Sequence, residues 1–236
     1  GQHFTPRDAI RLMAALLFNP VKDDLNRSGI IRSIYDPTCG TGGMVNVGKK
    51  YILEEICTDG NKPTIKTYGQ ELNDQSFAIA KSEALITNND AANIKLGNTL
   101  TSDQFPTEKF NFIMANPPFN MSEWGSKRLA DDVRWKYGVP PESNANYAWI
   151  QHMVHHLSPT GRIGLVLANG SLTTTTGGEG EIRKRLIEAD LVEGIVAMPN
   201  QLFYNVSIPV CVWFFNRKKQ NPGKVLFIDA RSMGMM

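Results

Sequence analysis

Cysteine is scarce in this chain: three in 236 residues. Cys39, Cys57 and Cys211 are far apart and odd in number, and no Cys-x-x-Cys occurs. That excludes a disulfide framework and a cysteine zinc site, and it fits a reducing, cytoplasmic setting. An excess of either charge sign is also lacking, with 25 Lys+Arg against 23 Asp+Glu and a net charge of +2. A protein that grips duplex DNA unaided carries a stronger basic surface. If DNA is the substrate, much of the grip comes from elsewhere. No apolar run is long enough to span a bilayer, so no membrane partner is expected. No internal repeat and no shift in composition marks a second domain. What is present is ordinary for a globular chain, 42% hydrophobic and 20% charged. A length of 236 residues supports one large domain, 1–236, with a sizeable core.

Helical and strand patterns alternate, which predicts an α/β fold with a parallel sheet and crossover helices. Thr5-Pro6-Arg7-Asp8 predicts a helix start, with Thr5 as N-cap, Pro6 in the first turn and Asp8 closing a capping box. Strands are predicted at 30–35, 65–69, 94–96, 110–115, 162–168 and 191–197, then a β-rich run at 209–215 and a last strand at 225–228. Helices are predicted at 44–57, 75–86, 145–157 and 179–189. The stretch 120–144 is polar and aromatic without a period, which is the signature of a functional or disordered loop. The Thr- and Gly-rich stretch 173–180 reads as mobile.

Asn116-Pro117-Pro118-Phe119 follows the apolar run 110–115, where a buried strand ends. Open α/β sheets place ligand chemistry at that end. Asn116 offers a side-chain carbonyl. The carbonyl between two prolines is held stiffly, because each ring fixes its own φ and restrains the residue before it. Phe119 offers a flat apolar face. Two fixed acceptors and an aromatic plane suit a planar amine, either the exocyclic amine of a base or an amide. The plain alternative is a strand-ending Pro-Pro turn.

Upstream, Asp36-Pro37-Thr38-Cys39-Gly40-Thr41-Gly42-Gly43 sits between the first strand and its helix. Glycines there let the backbone turn sharply and approach a ligand. No Lys-Ser or Lys-Thr follows them, so a triphosphate P-loop is not expected. Glu71 lies at the end of the second strand, where a carboxylate meets ribose hydroxyls. A strand-end turn residue at Asp36 and a solvated helix-start acid at Glu71 are the plain readings. Together the two acids describe a site for an adenosine-bearing ligand without pyrophosphate, and S-adenosylmethionine fits better than NAD.

These residues resemble the modification (M) subunits of type I restriction-modification systems. Gln2-His3-Phe4-Thr5-Pro6 resembles the family's motif ahead of the glycine loop, the gamma-class order. Residues 36–44 resemble its cofactor loop, Tyr68-Gly69-Gln70-Glu71 its ribose motif, and Gly97-Asn98-Thr99-Leu100 the segment beside the cofactor's adenine. Ser143-Asn144-Ala145-Asn146-Tyr147-Ala148, the segment 178–183, Leu202-Phe203-Tyr204 and Asp229-Ala230-Arg231 resemble later motifs. Two departures stand out: Asn146 replaces a frequent Asp, and 173–176 replaces a frequent Leu-Phe-Arg-Gly.

The resemblance implies a Rossmann-like methyltransferase fold with a mostly parallel seven-stranded sheet and helices on both faces. It implies an N6-adenine DNA methyltransferase that uses S-adenosylmethionine. His3, Phe4, Thr5, Asp36, Thr38, Cys39, Gly40, Thr41, Gly42, Gly43, Met44, Glu71, Leu72, Asn98, Thr99 and Leu100 are then the expected cofactor residues. Asn116, Pro117, Pro118 and Phe119 are the expected catalytic ones. The target adenine is flipped out of the duplex. Phe119 stacks on one face of it, and Phe203 with Tyr204 on the other. The implied partners are duplex DNA, a specificity subunit, a second M subunit and a restriction subunit. The chain starts and stops at the catalytic core, so it is expected to be a fragment lacking a helical N-terminal region and a C-terminal extension. Two rival functions stay open: a protein-glutamine methyltransferase, whose acceptor is also a planar amine, and a non-catalytic cofactor-binding subunit. His152, His155 and His156 share one predicted helix, but no acid or cysteine is visible beside them in sequence, so no metal is expected. The basic runs at 183–185 and 217–219 read as solvated surface.

Overall fold

The computed structural model describes residues 5–200 and 208–233. In chain order it contains α1 (Arg7–Phe18), a short α2 (Lys22–Leu25), β1 (Ile31–Asp36), α3 (Gly43–Tyr51), β2 (Thr64–Glu71) and α4 (Asp74–Ile86). Next come β3 (Ile94–Leu96), β4 (Phe110–Ala115), α5 (Asn146–His155), β5 (Leu157–Ala168), α6 (Glu179–Glu188), β6 (Val192–Ala197), β7 (Val210–Asn216) and β8 (Leu226–Asp229).

The strands form one sheet in the order β3-β2-β1-β4-β5-β7-β6-β8. It has the eight strands that the residue pattern predicts, one more than the seven the resemblance implies. β1 is parallel to β2 and β4, and β4 to β5. β7 runs antiparallel between β5 and β6, while β8 is parallel to β6 at the edge. One apolar cluster lies on each face. α1 and α3 cover one through Met13, Leu17, Phe18 and Val45. α5 and α6 cover the other through Trp149, Met153, Ile182 and Leu186.

Chain order reverses between β1 and β4. The connection after β1 leads outward to β2 and β3, and the one after β4 leads the other way. Their loops therefore splay apart at the carboxyl ends and leave a crevice. Asp36 pairs in register with Gly69, and Glu71 with Leu96, so the carboxyl ends of β1, β2 and β3 lie side by side.

The helix start differs from the expectation. Pro6 is the N-cap of α1, and no side chain caps it. The hydroxyl of Thr5 is engaged elsewhere, as shown below. The stretch 120–144 is packed rather than loose. Trp124 and Trp135 are buried and meet edge-on, with ring centroids 5.6 Å apart. Their ring N–H groups donate to the carbonyls of Pro141 and Leu129, at 2.8 and 2.6 Å. The stretch after β5 is also tied down: Arg183 donates to the Thr174 carbonyl at 2.7 Å, and the Thr174 hydroxyl to Glu179 at 2.8 Å.

Candidate active site

A cavity of about 580 Å³ opens where β1, β2 and β4 end. Thr38, Glu71, Leu72, Asn98 and Thr99 border it on one side, and Asn116, Pro117, Pro118 and Phe119 on the other. The sheet order thus joins two motifs that the sequence holds almost eighty residues apart.

The glycine loop reaches the cavity through Pro37 and Thr38. Asp36 ends β1 and is buried, and its carboxylate accepts from the Thr38 N–H at 2.9 Å and the Thr38 hydroxyl at 3.3 Å. Burial pushes its pKa up to about 7, against the pull of the Thr38 hydrogen bonds, and the neighbouring charge of Glu71 adds to the rise. Gly40 and Gly42 have φ of +53° and +88°, which a side chain would strain. The Gly40 N–H donates to Glu71 at 2.8 Å, so the acid after β2 holds the loop after β1. The other Glu71 oxygen accepts from the Asn73 N–H at 2.8 Å, and Asn73 caps α4 through Ser76. Cys39 is buried under the loop against Gly69, where an added Cβ would stand 2.7 Å from its sulfur. Asn98 accepts from the N–H groups of Leu100 and Thr101 at 3.0 and 3.1 Å, and the Thr99 hydroxyl donates to the Pro37 carbonyl. Met44 and Leu100 put their side chains into the two cores, and Asp36, Cys39, Gly40, Thr41, Gly42 and Gly43 do not lie on the cavity wall.

On the opposite wall, the Asn116 amide nitrogen donates to the Thr5 hydroxyl at 2.9 Å. Its oxygen is buried and has no hydrogen-bond partner among the described residues. The amide therefore presents an acceptor, and Thr5 fixes which end faces inward. Behind it, Asn146 Oδ1 accepts the Asn120 N–H at 3.1 Å, and Asn146 Nδ2 donates to Asn120 Oδ1 at 2.9 Å. An aspartate in the same place could make only the first of these bonds, so Asn146 ties the backbone and side chain of Asn120 together. Asn120 itself holds φ of +53°.

α5 brings three residues at a spacing of three toward this wall. Asn146 braces Asn120, Trp149 borders the cavity, and His152 lies one turn on. Pro37 and Gln70 line the cavity from within quoted motifs, whereas Trp149, Asn73 and Met121 line it but carry no signal in the sequence that marks them as site residues. No acid was visible beside the histidines in sequence, and the fold supplies one. His152 and His156 are fully buried, and Asp103 joins them, with one possible ligand atom of each within 4.8 Å of the others. All four ring nitrogens already face protein partners: Tyr35 and Arg134 for His152, Glu108 and Asp103 for His156. The guanidinium of Arg134 at His152 Nδ1 opposes a metal ion there. Burial above all, then His156 and Arg134, holds the His152 pKa well below its ordinary value. His3, Phe4, Phe203 and Tyr204 lie outside the described residues.

The sheet order and the site at its reversal define the class I S-adenosylmethionine-dependent methyltransferase fold. A solved structure from Listeria monocytogenes assigned to that class is 16% identical, with a TM-score of 0.73 over 96% of this chain and 65% of that chain. The type I restriction-modification methyltransferase subunit from Streptococcus thermophilus is 27% identical, with a TM-score of 0.84 over 100% of this chain and 49% of that chain. The type I restriction enzyme HindI methylase subunit of Haemophilus influenzae is 46% identical, over 100% of this chain and 51% of its own length. The profile of the N-6 DNA methylase family matches residues 1–236, and the chain belongs to that family. It spans about half the length of the two type I relatives.

Proposed function

We propose that this chain is the catalytic core of a type I modification subunit, a DNA methyltransferase that methylates the exocyclic N6 amine of a flipped adenine. The observation that carries this reading is the Asn116 amide, its nitrogen tied to Thr5 and its oxygen unpaired beside Pro117 in the cavity. Adenine N6 is a poor nucleophile, because its lone pair is delocalised into the ring. The Asn116 oxygen and the Pro117 carbonyl accept the two amine hydrogens. That draws the nitrogen toward tetrahedral geometry and localises its lone pair. Both acceptors are set before the base arrives, so little reorganisation remains for the reacting complex. Phe119 stacks on the base, worth roughly 1–3 kcal/mol.

The residues opposite suit S-adenosylmethionine. Two buried acids, Asp36 and Glu71, stand close enough for one to raise the pKa of the other. A cationic ligand relieves that repulsion. Glu71 takes the ribose hydroxyls, while Leu72, Asn98, Thr99 and Pro117 flank the adenine. The glycine loop, Asp36 to Met44, lets the backbone come close to the remainder. Bound there, S-adenosylmethionine supplies an electrophilic methyl group on a sulfonium. Cys39 lies beneath the loop and is no nucleophile in this scheme: burial pushes its thiol well above the usual range.

The DNA, the specificity subunit, a second modification subunit and the restriction subunit are the partners this reading assigns, in the cytoplasm. The test is Asn116→Ala. S-adenosylmethionine affinity by titration calorimetry stays near wild type, while methyl transfer to duplex DNA falls by about 100-fold or more. Transfer near the wild-type rate overturns the reading. Transfer to a glutamine-bearing protein but not to DNA replaces it with the protein-glutamine alternative.

A further inference from the structure

Arg134 sits in the packed stretch after the tetrapeptide, its side chain only 5% exposed. All five guanidinium N–H groups have acceptors. Nε and Nη2 grip the two Asp132 oxygens at 2.8 and 2.7 Å. Nη2 also donates to the Leu100 carbonyl at 2.5 Å. Nη1 donates to the Thr99 carbonyl at 3.3 Å and to His152 Nδ1 at 3.0 Å. The guanidinium lies over the Trp135 ring, 5.0 Å from its centroid. A rigid fork with five donors is a property of arginine alone among side chains.

These acceptors belong to three segments. Asp132 belongs to the stretch that follows Asn120. Thr99 and Leu100 continue from Asn98 on the opposite wall of the cavity. His152 belongs to α5, which braces Asn120 through Asn146 and borders the cavity through Trp149. Thr99 is pinned at a second point, its hydroxyl on the Pro37 carbonyl of the glycine loop.

We propose that Arg134 is a positioning residue for the methyl donor: by holding the Thr99 and Leu100 carbonyls it fixes the adenosine-facing wall relative to the catalytic tetrapeptide. The inference rests on the proposed methyltransferase reading. Arg134 touches neither the base nor the reacting atoms, and it does not line the cavity. Its loss leaves two buried carbonyls without a donor, and the wall they belong to shifts. The shift falls on the donor side, so affinity for the donor suffers before the chemical step does.

The test compares Arg134→Lys with Arg162→Lys. Lysine keeps the charge and loses the fork. Arg162 is also a buried arginine in an ion pair, 2.6 Å from Glu193, but it is remote from this cavity. Titration calorimetry with S-adenosylmethionine is run on each folded variant, with steady-state methyl transfer in parallel. Arg134→Lys weakens binding about tenfold and raises KM for S-adenosylmethionine, while kcat at saturation stays near wild type. Arg162→Lys lowers the melting temperature without changing affinity. Wild-type affinity in Arg134→Lys, or equal weakening in Arg162→Lys, overturns the proposal. Should Arg134→Lys fail to fold, Asp132→Asn loosens the fork more gently, and unchanged affinity there overturns it equally. A wild-type protein that binds no S-adenosylmethionine overturns the functional reading instead.

Discussion

Asp36 shows how a single side chain ties stability to pH in this site. Its carboxyl is buried, and its pKa is raised from 3.8 to about 7. A raised carboxyl pKa means that the folded protein keeps a proton the unfolded chain has already lost. The stabilising contribution is complete below the unfolded value near 4. It declines as pH climbs toward 7, and above that the folded state carries a buried charge. Asp36→Asn removes the titrating group and keeps an oxygen for Thr38. The wild type is therefore expected to lose stability from pH 5 to pH 8 relative to Asp36→Asn, on the order of a few kcal/mol. Denaturant unfolding at both pH values measures this, and parallel pH dependence in the two proteins would refute it. At this scale the sequence was informative where chemistry is written in residue type. Glu71, Asn98 and the tetrapeptide border one cavity. It was uninformative where the role depends on a partner far along the chain. Thr5 reads as a helix cap, yet it orients an amide 111 residues away. Asp103 carries no signal of its buried histidine neighbours until the fold supplies them.

Among the elements, the stretch 120–144 departs most from its expectation. It has no hydrophobic period because it forms almost no regular structure, only one short turn at Ser126–Arg128. Aromatic side chains do the packing instead. Trp124 is 3% exposed, lies edge-on to Trp135, and gives its ring N–H to Pro141. Burial on this scale makes the stretch part of the core and not a loose cover. Trp124→Ala is expected to cost about 3 kcal/mol or more, the range for emptying a buried aromatic site. Chemical denaturation measures it. An unchanged midpoint would show that the stretch unfolds independently of the sheet. Strand prediction succeeded where flanking turns framed an apolar run, and Phe110–Ala115 is found with the expected limits. The direction of β7 was not legible for a physical reason. Every residue from Val210 to Asn216 is buried, and a strand covered on both faces has the same continuous apolar pattern in either orientation. β8 extends the count to eight because it is a short, mostly exposed edge strand, four residues long.

For the whole molecule the decisive quantity is charge. A net charge of +2 gives little long-range attraction for a polyanion. The two basic runs do not remedy this, because most of their cations are already engaged. Arg183 donates to the Thr174 carbonyl, Lys184 pairs with Glu188, and Arg185 with Glu181. Arg217 donates to the Val154 carbonyl, and Lys219 pairs with Asp190. With so little net positive charge, the isolated chain is expected to bind DNA in the non-specific range, roughly 10⁻⁴ M or weaker at physiological salt. Base flipping then adds an unstacking cost that such weak binding does not cover. In the proposed reading a specificity subunit would supply both the phosphate contacts and the base readout, and specific sites bind about 10³-fold tighter or more. Methyl transfer to duplex DNA is therefore expected to be slow with this chain alone. Adding the specificity partner should raise kcat/KM for DNA by about 100-fold or more and leave S-adenosylmethionine affinity unchanged, because the cavity proposed for the donor is lined by residues of this chain. Steady-state assays with and without the partner, on DNA that carries the target site and DNA that lacks it, decide the matter. Efficient, site-selective methylation by the chain alone would mean that sequence reading resides in this fold, on a surface its charge gives no hint of.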